Sequence, residues 1–94
     1  MSAIKDSRYP ITLKGKEYNL LFSLNALDAL QDRYGGYDKL SEVLNESNPN
    51  WVKETKWLLT MLINEGLLAE DENAETLGED RVGRLIHMGN IKED

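Results

Sequence analysis

The chain has no cysteine. That excludes disulfides, a thiol nucleophile and thiolate-bound zinc. Histidine is nearly absent as well. His87 stands alone, with no second histidine for a metal pair and no nucleophile beside it, and reads as a surface or partly packed side chain. Gly35-Gly36 lacks the further glycine and the Lys-Ser/Thr of a phosphate-cradling loop. No apolar run approaches the ~20 residues that span a bilayer, and the opening MSAIKDSRYP has no signal-peptide apolar region. Basic residues are few: 11 Lys and Arg against 17 Asp and Glu, a net charge of −6. A surface short of cations is poorly suited to phosphate backbones. The expectation from these absences is a cytosolic protein with no catalytic residues, no cofactor and no metal, binding neither nucleic acid nor membrane.

What is present is patterning. Ninety-four residues, 40% hydrophobic and 30% charged, suit one soluble domain with one core. Tyr9, Ile11 and Leu13 alternate with Pro10, Thr12 and Lys14; after Lys14-Gly15-Lys16, Tyr18 and Leu20 alternate with Glu17 and Asn19. Period-two alternation about a short glycine turn predicts a β-hairpin. Pro10 has no N–H for a ladder, so the first strand is an edge or begins there. A lone hairpin is marginal in water, so its apolar face must be covered. Ser23 is placed to cap a helix. Leu24, Leu27, Leu30 and Tyr34 recur at three- and four-residue spacing as one stripe, and Gly35-Gly36 ends the helix.

Further helices follow. Asp38 is positioned to cap a short one carrying Leu40, Val43 and Leu44. At Asn48-Pro49-Asn50, either Asn48 caps with Pro49 in the first turn, or Asn50 caps. The third helix, from about Trp51 to Glu65, is the most hydrophobic segment. Its apolar face comprises Val52, Leu58, Leu59, Leu62 and Ile63, and Gly66 marks its end or a kink. Thr76 and Glu79 fit a capping box ahead of the stripe Val82, Leu85 and Ile86, with Gly89 as C-cap. The architecture expected is α+β and mostly α: an N-terminal hairpin packed on a bundle of about four helices. Residues 1–8 form a flexible N-terminus, 9–89 the domain and 90–94 a flexible tail.

Charge is distributed unevenly. Residues 1–16 hold four bases against one acid; residues 65–80 hold seven acids and no base. The acidic run is either a solvated loop or a docking surface for a basic partner. Trp51 and Trp57 lie six residues apart, about 120° around a helix. Both cannot centre one buried stripe, and an exposed tryptophan suits an interface. Met61 fills core gaps or an adaptable surface. The third helix carries more large apolar side chains than one face needs. Trp51, Trp57, Leu58 and Met61 are therefore the candidate partner-binding residues.

The hairpin, the stretch NLLFSLNALDALQDRYGGYDKL and the helix TKWLLTMLINEGL resemble the tail assembly chaperones of long-tailed, siphovirus-type bacteriophages and prophages of Gram-positive bacteria. They are similar in plan to the small tail proteins of gene transfer agents. The features shared are a basic-Gly-basic hairpin turn, here Lys14-Gly15-Lys16, a Leu-rich helix ending at Tyr34-Gly35, a short helix and a longer hydrophobic one. The resemblance spans most of Tyr9 to Met88 and contains no catalytic motif. It implies a non-enzymatic assembly factor in the host cytoplasm, absent from the mature virion. Such a factor would bind the tape measure protein, with the tail tube protein as a second partner. Excess apolar surface also points to a homo-oligomer. The alternative is a small acidic cytosolic adaptor or inhibitor that binds a basic partner through residues 65–80.

Overall fold

The computed structural model of the protein describes residues 8–86. Most of the expected flexible N-terminus, His87, Met88, the Gly89 cap and the tail 90–94 lie outside the described residues. The elements run β1 (Arg8–Leu13), β2 (Lys16–Leu21), α1 (Leu24–Tyr34), a 3₁₀ turn (Tyr37–Lys39), α2 (Leu40–Val43), α3 (Trp51–Glu70) and α4 (Glu79–Leu85). The fold is α+β and mostly α, a hairpin set against helices, as the sequence patterning indicates. Arg8, assigned above to a flexible N-terminus, is already in β1.

The hairpin is antiparallel, with Ile11 opposite Tyr18 and Leu13 opposite Lys16. Lys14 and Gly15 both take positive φ, 52° and 78°. This is the primed two-residue turn whose twist matches the strands it joins. Counting from that turn, Pro10 and Asn19 form a non-hydrogen-bonded pair. The N–H that proline lacks would therefore have pointed outward, away from the ladder. The outer edge of β2 meets α3 instead. A Cβ built at Gly66 would run into the Asn19 carbonyl oxygen and stand 3.0 Å from its carbonyl carbon. Gly66 does not end α3. The helix continues to Glu70, and the glycine lets strand and helix backbones touch.

α3 is the hub. On one side Ile63 packs with Leu13 and Tyr18 of the hairpin and Val82 of α4. On the other, Leu58 and Leu62 pack with Ala26 and Leu30 of α1. Leu20 borders both clusters. A helix in contact on two sides needs apolar residues beyond a single stripe, which explains why this segment is the most hydrophobic in the chain.

α1 begins and ends as its sequence signals indicate. Ser23 Oγ accepts from Ala26 N at 3.1 Å and donates to Glu65 of α3. Gly35 closes the helix in the left-handed region, its N–H donating to Gln31 O. The buried face differs from the expected stripe. Ala26 and Leu30 are fully buried, whereas Leu24 is 83% exposed and Leu27 37%. The small Ala26 allows α1 to lie close on α3, and that rotation turns Leu24 and Leu27 outward.

Other caps depart from expectation. Asp38 sits within the 3₁₀ turn, and α2 has no side-chain cap. Asn50 precedes α3 without a side-chain bond. Asn48 organises that corner: its Nδ2 donates to Val43 O at 2.7 Å and its Oδ1 accepts from Asn50 N at 3.1 Å. The Thr76–Glu79 capping box does not form, because α4 starts at Glu79 with Gly78 before it. The segment ahead of it is clasped by Asn64 of α3. That amide donates to Leu77 O and accepts from Leu77 N at 2.9 and 2.7 Å.

Candidate functional site

The four candidate residues do not form one surface. Leu58 is buried, 6% exposed, in the core shared with α1, so it is no contact residue of the folded protein. Met61 and Trp57 are half-buried against the same core. Trp51, at the start of α3, faces elsewhere.

Trp57 is held in a compact polar–aromatic cluster. Its ring meets Tyr34 edge-on, centroids 5.8 Å apart. The Arg33 guanidinium lies 4.4 Å over its centroid, a stacked cation–π contact. One oxygen of Glu54 accepts from both the Tyr34 hydroxyl, at 2.5 Å, and Arg33 Nε, at 3.0 Å. The hydrogen bonds from Tyr34 and then Arg33 hold the Glu54 carboxyl below the usual carboxylate range. Burial, then donation to Glu54, pushes the Tyr34 phenol up to about 12. The Glu54 hydrogen bond raises the Arg33 guanidinium further. The cluster ties the end of α1 to α3, and its groups satisfy one another.

Trp51 instead lines an open groove of about 510 Å³ between the first half of α3 and α4. Its α3 wall comprises Trp51, Val52, Thr55, Lys56 and Leu59; its α4 wall comprises Asp80, Val82, Gly83, Arg84 and Ile86. Most of the lining is apolar. Val52, placed above on the apolar face of the helix, is 60% exposed at the groove. Gly83 has no side chain to fill the space, and the Lys56 stem lies across it, a Cβ there standing 3.0 Å from Lys56 Cδ. Of the α4 wall, Val82 and Ile86 belong to the apolar stripe expected from the sequence, whereas no local pattern marks Asp80, Gly83 and Arg84 as groove residues.

The acidic run divides by role. Glu65 accepts from Ser23, and Glu70 accepts from Asn19 Nδ2 at 2.9 Å. Asp71, Glu72, Glu75, Glu79 and Asp80 are exposed, and the Asn64 clasp on Leu77 fixes the loop that carries most of them. Among the described residues, no group of three His, Cys, Asp or Glu side chains is arranged to hold a metal. Nor is any described helix long and apolar enough to cross a membrane.

No protein-family model, curated protein or solved structure matches the chain.

Proposed function

We propose that the protein is a non-catalytic tail assembly chaperone of a long-tailed bacteriophage or prophage. It acts in the host cytoplasm, keeps the tape measure protein soluble, and is left out of the virion. The reading draws on the resemblance of residues Tyr9–Met88 to that family. The observation that carries it furthest is the open apolar groove between α3 and α4, with Trp51 and the exposed Val52 in its wall. A long helical client presents apolar side chains at three- and four-residue spacing, which a groove of this kind accepts. This moves the working surface from Trp57, Leu58 and Met61 to Trp51, Val52, Leu59 and the α4 wall.

The test is co-expression with the tape measure protein of the same phage. The client is expected in the soluble fraction with the wild-type chain and in the pellet without it. Val52→Glu, at an exposed position, is expected to leave folding intact and abolish solubilisation. A client equally soluble without the chain would refute the chaperone reading. Equal solubilisation by Val52→Glu would remove the groove from it. The exposed carboxylates of the loop before α4 support the second reading, an adaptor for a basic partner. On that reading Val52→Glu leaves partner capture intact, while charge removal at Asp71, Glu72 and Glu75 abolishes it.

A further inference from the structure

The groove between α3 and α4 carries charge that its apolar floor does not explain. Lys56 stands on the α3 wall, Asp80 and Arg84 on the α4 wall. The half-buried Lys56 stem reaches across to Gly83, where a Cβ would stand 3.0 Å from Lys56 Cδ and 3.9 Å from Cγ. Such a stem lies along apolar surface and delivers its ammonium to the rim. Gly83 precedes Arg84, so the two cations gather at one edge of the floor, with Asp80 one turn back along α4. Neither Lys56 nor Arg84 is in an ion pair; among the described residues the ion pair formed is Arg33 with Glu54. This edge therefore has two cations against one acid, on a chain whose net charge is −6. Unpaired cations beside an apolar floor recognise a carboxylate carried on an apolar body.

We propose that the groove selects its client by charge: it takes an amphipathic helix with Glu or Asp flanking the apolar stripe, set against Lys56 and Arg84. The inference rests on the groove reading above and sharpens it to a class of segment. The apolar floor sets how tightly a helix is held, and the cationic edge sets which helix is held. The α3 wall runs from Trp51 to Leu59, about 12 Å or roughly two turns of a client helix. Within that length one carboxylate beside the stripe, or two at four-residue spacing, meets the edge. A helix with Lys or Arg in the same places brings like charge to both cations and is turned away.

Two synthetic helical peptides of about 18 residues, added to the intact chain, test this. They share one leucine stripe and one composition. In the first, Glu flanks the stripe and Lys faces away; in the second, the two are exchanged. Their net charges are equal, which removes long-range attraction to the chain as a cause of any difference. Titration calorimetry at about 0.15 M salt is expected to show the Glu-flanked peptide binding about tenfold tighter than the Lys-flanked one. Arg84→Glu, at an exposed position, is expected to reverse the order. Lys56→Met keeps the stem over Gly83 and removes the ammonium, and is expected to reduce the preference about threefold. Circular dichroism melts matching the wild type show that each variant keeps its fold. Val52→Glu is expected to bind neither peptide, which locates both on the groove floor. Equal affinity for the two peptides, tighter binding of the Lys-flanked one, or an Arg84→Glu variant with the wild-type preference would each overturn the charge selection and leave the groove reading standing. A wild type that binds neither peptide, or a Val52→Glu variant that binds both as the wild type does, would overturn both.

Discussion

Gly66→Ala is the sharpest test of how α3 is seated on the hairpin. In an isolated helix the change favours folding by about 1 kcal/mol, since alanine is the better helix former. Here the new methyl points at the Asn19 carbonyl, with the carbonyl carbon at 3.0 Å and the Asn19 Cβ at 3.3 Å. Two of those three atoms are strand backbone and cannot swing aside. Relief requires α3 and β2 to separate by about 1 Å, which forfeits a quarter to a half of the contact energy along the seam. That seam includes Ile63 against Leu13 and Tyr18. Overpacking of this kind costs about 3 kcal/mol, at the upper end for a site that cannot yield. The net loss is about 2 kcal/mol, or a fall in Tm of roughly 10 °C for a domain of this size. Gly83→Ala is the internal control. Its methyl meets the Lys56 side chain, with Cδ at 3.0 Å and Cγ at 3.9 Å, a flexible half-buried stem that can shift where backbone cannot, so stability stays level or rises by up to about 1 kcal/mol. Thermal and urea melts followed by far-ultraviolet circular dichroism measure both. A Gly66→Ala protein as stable as wild type would refute the close approach of helix and strand.

The Tyr34–Glu54–Arg33 cluster predicts two pH windows. Glu54 has a lowered folded pKa, so its contribution is complete above about pH 5 and lost as pH falls through the folded value. Tyr34 is raised from 10.0 to about 12, so its contribution is complete below pH 10 and lost as pH climbs towards 12. Urea midpoints against pH should show the acid slope reduced in Glu54→Gln and the alkaline slope reduced in Tyr34→Phe, each variant losing about 1 kcal/mol at neutral pH. Unchanged slopes would dismiss the cluster as a stabilising unit. Ser23→Ala removes both the α1 cap and the partner of Glu65, with an expected loss of about 1–2 kcal/mol in the same melts. Asn64→Ala releases Leu77; the loop before α4 should then be cut faster by a protease specific for acidic residues, at Glu72 or Glu75.

The parts legible in the sequence were those set by neighbours a few residues away. The hairpin follows from alternation and from Lys14-Gly15, and the ends of α1 from Ser23 and Gly35. The parts that were hidden depend on partners far along the chain. Leu24 and Leu27 share the period of Leu30, yet α3 approaches at Ala26 and turns them outward. Gly66 carries the local signature of a helix end, but its reason is a strand backbone 47 positions earlier. Thr76 has no capping role because Asn64 takes both backbone groups of Leu77 and the helix starts only after Gly78. Trp57 and Met61 suit an interface by residue type, but the helix directions commit them to the core side. The groove is formed jointly by α3 and α4, so neither helix announces it alone.

The arrangement of the core also fixes an order of events during synthesis. Leu13 and Tyr18 are buried against Ile63 and Val82, so the hairpin waits for residues that are synthesised well after it. Until α3 has left the ribosome, the hairpin shows its apolar face to water, and a two-stranded sheet alone is barely stable. Its edge is guarded meanwhile by Pro10, which offers no outward N–H to a neighbouring nascent chain. A ribosome-bound fragment ending before Trp51 should therefore be unfolded, and the domain should close in one late step once α4 is free.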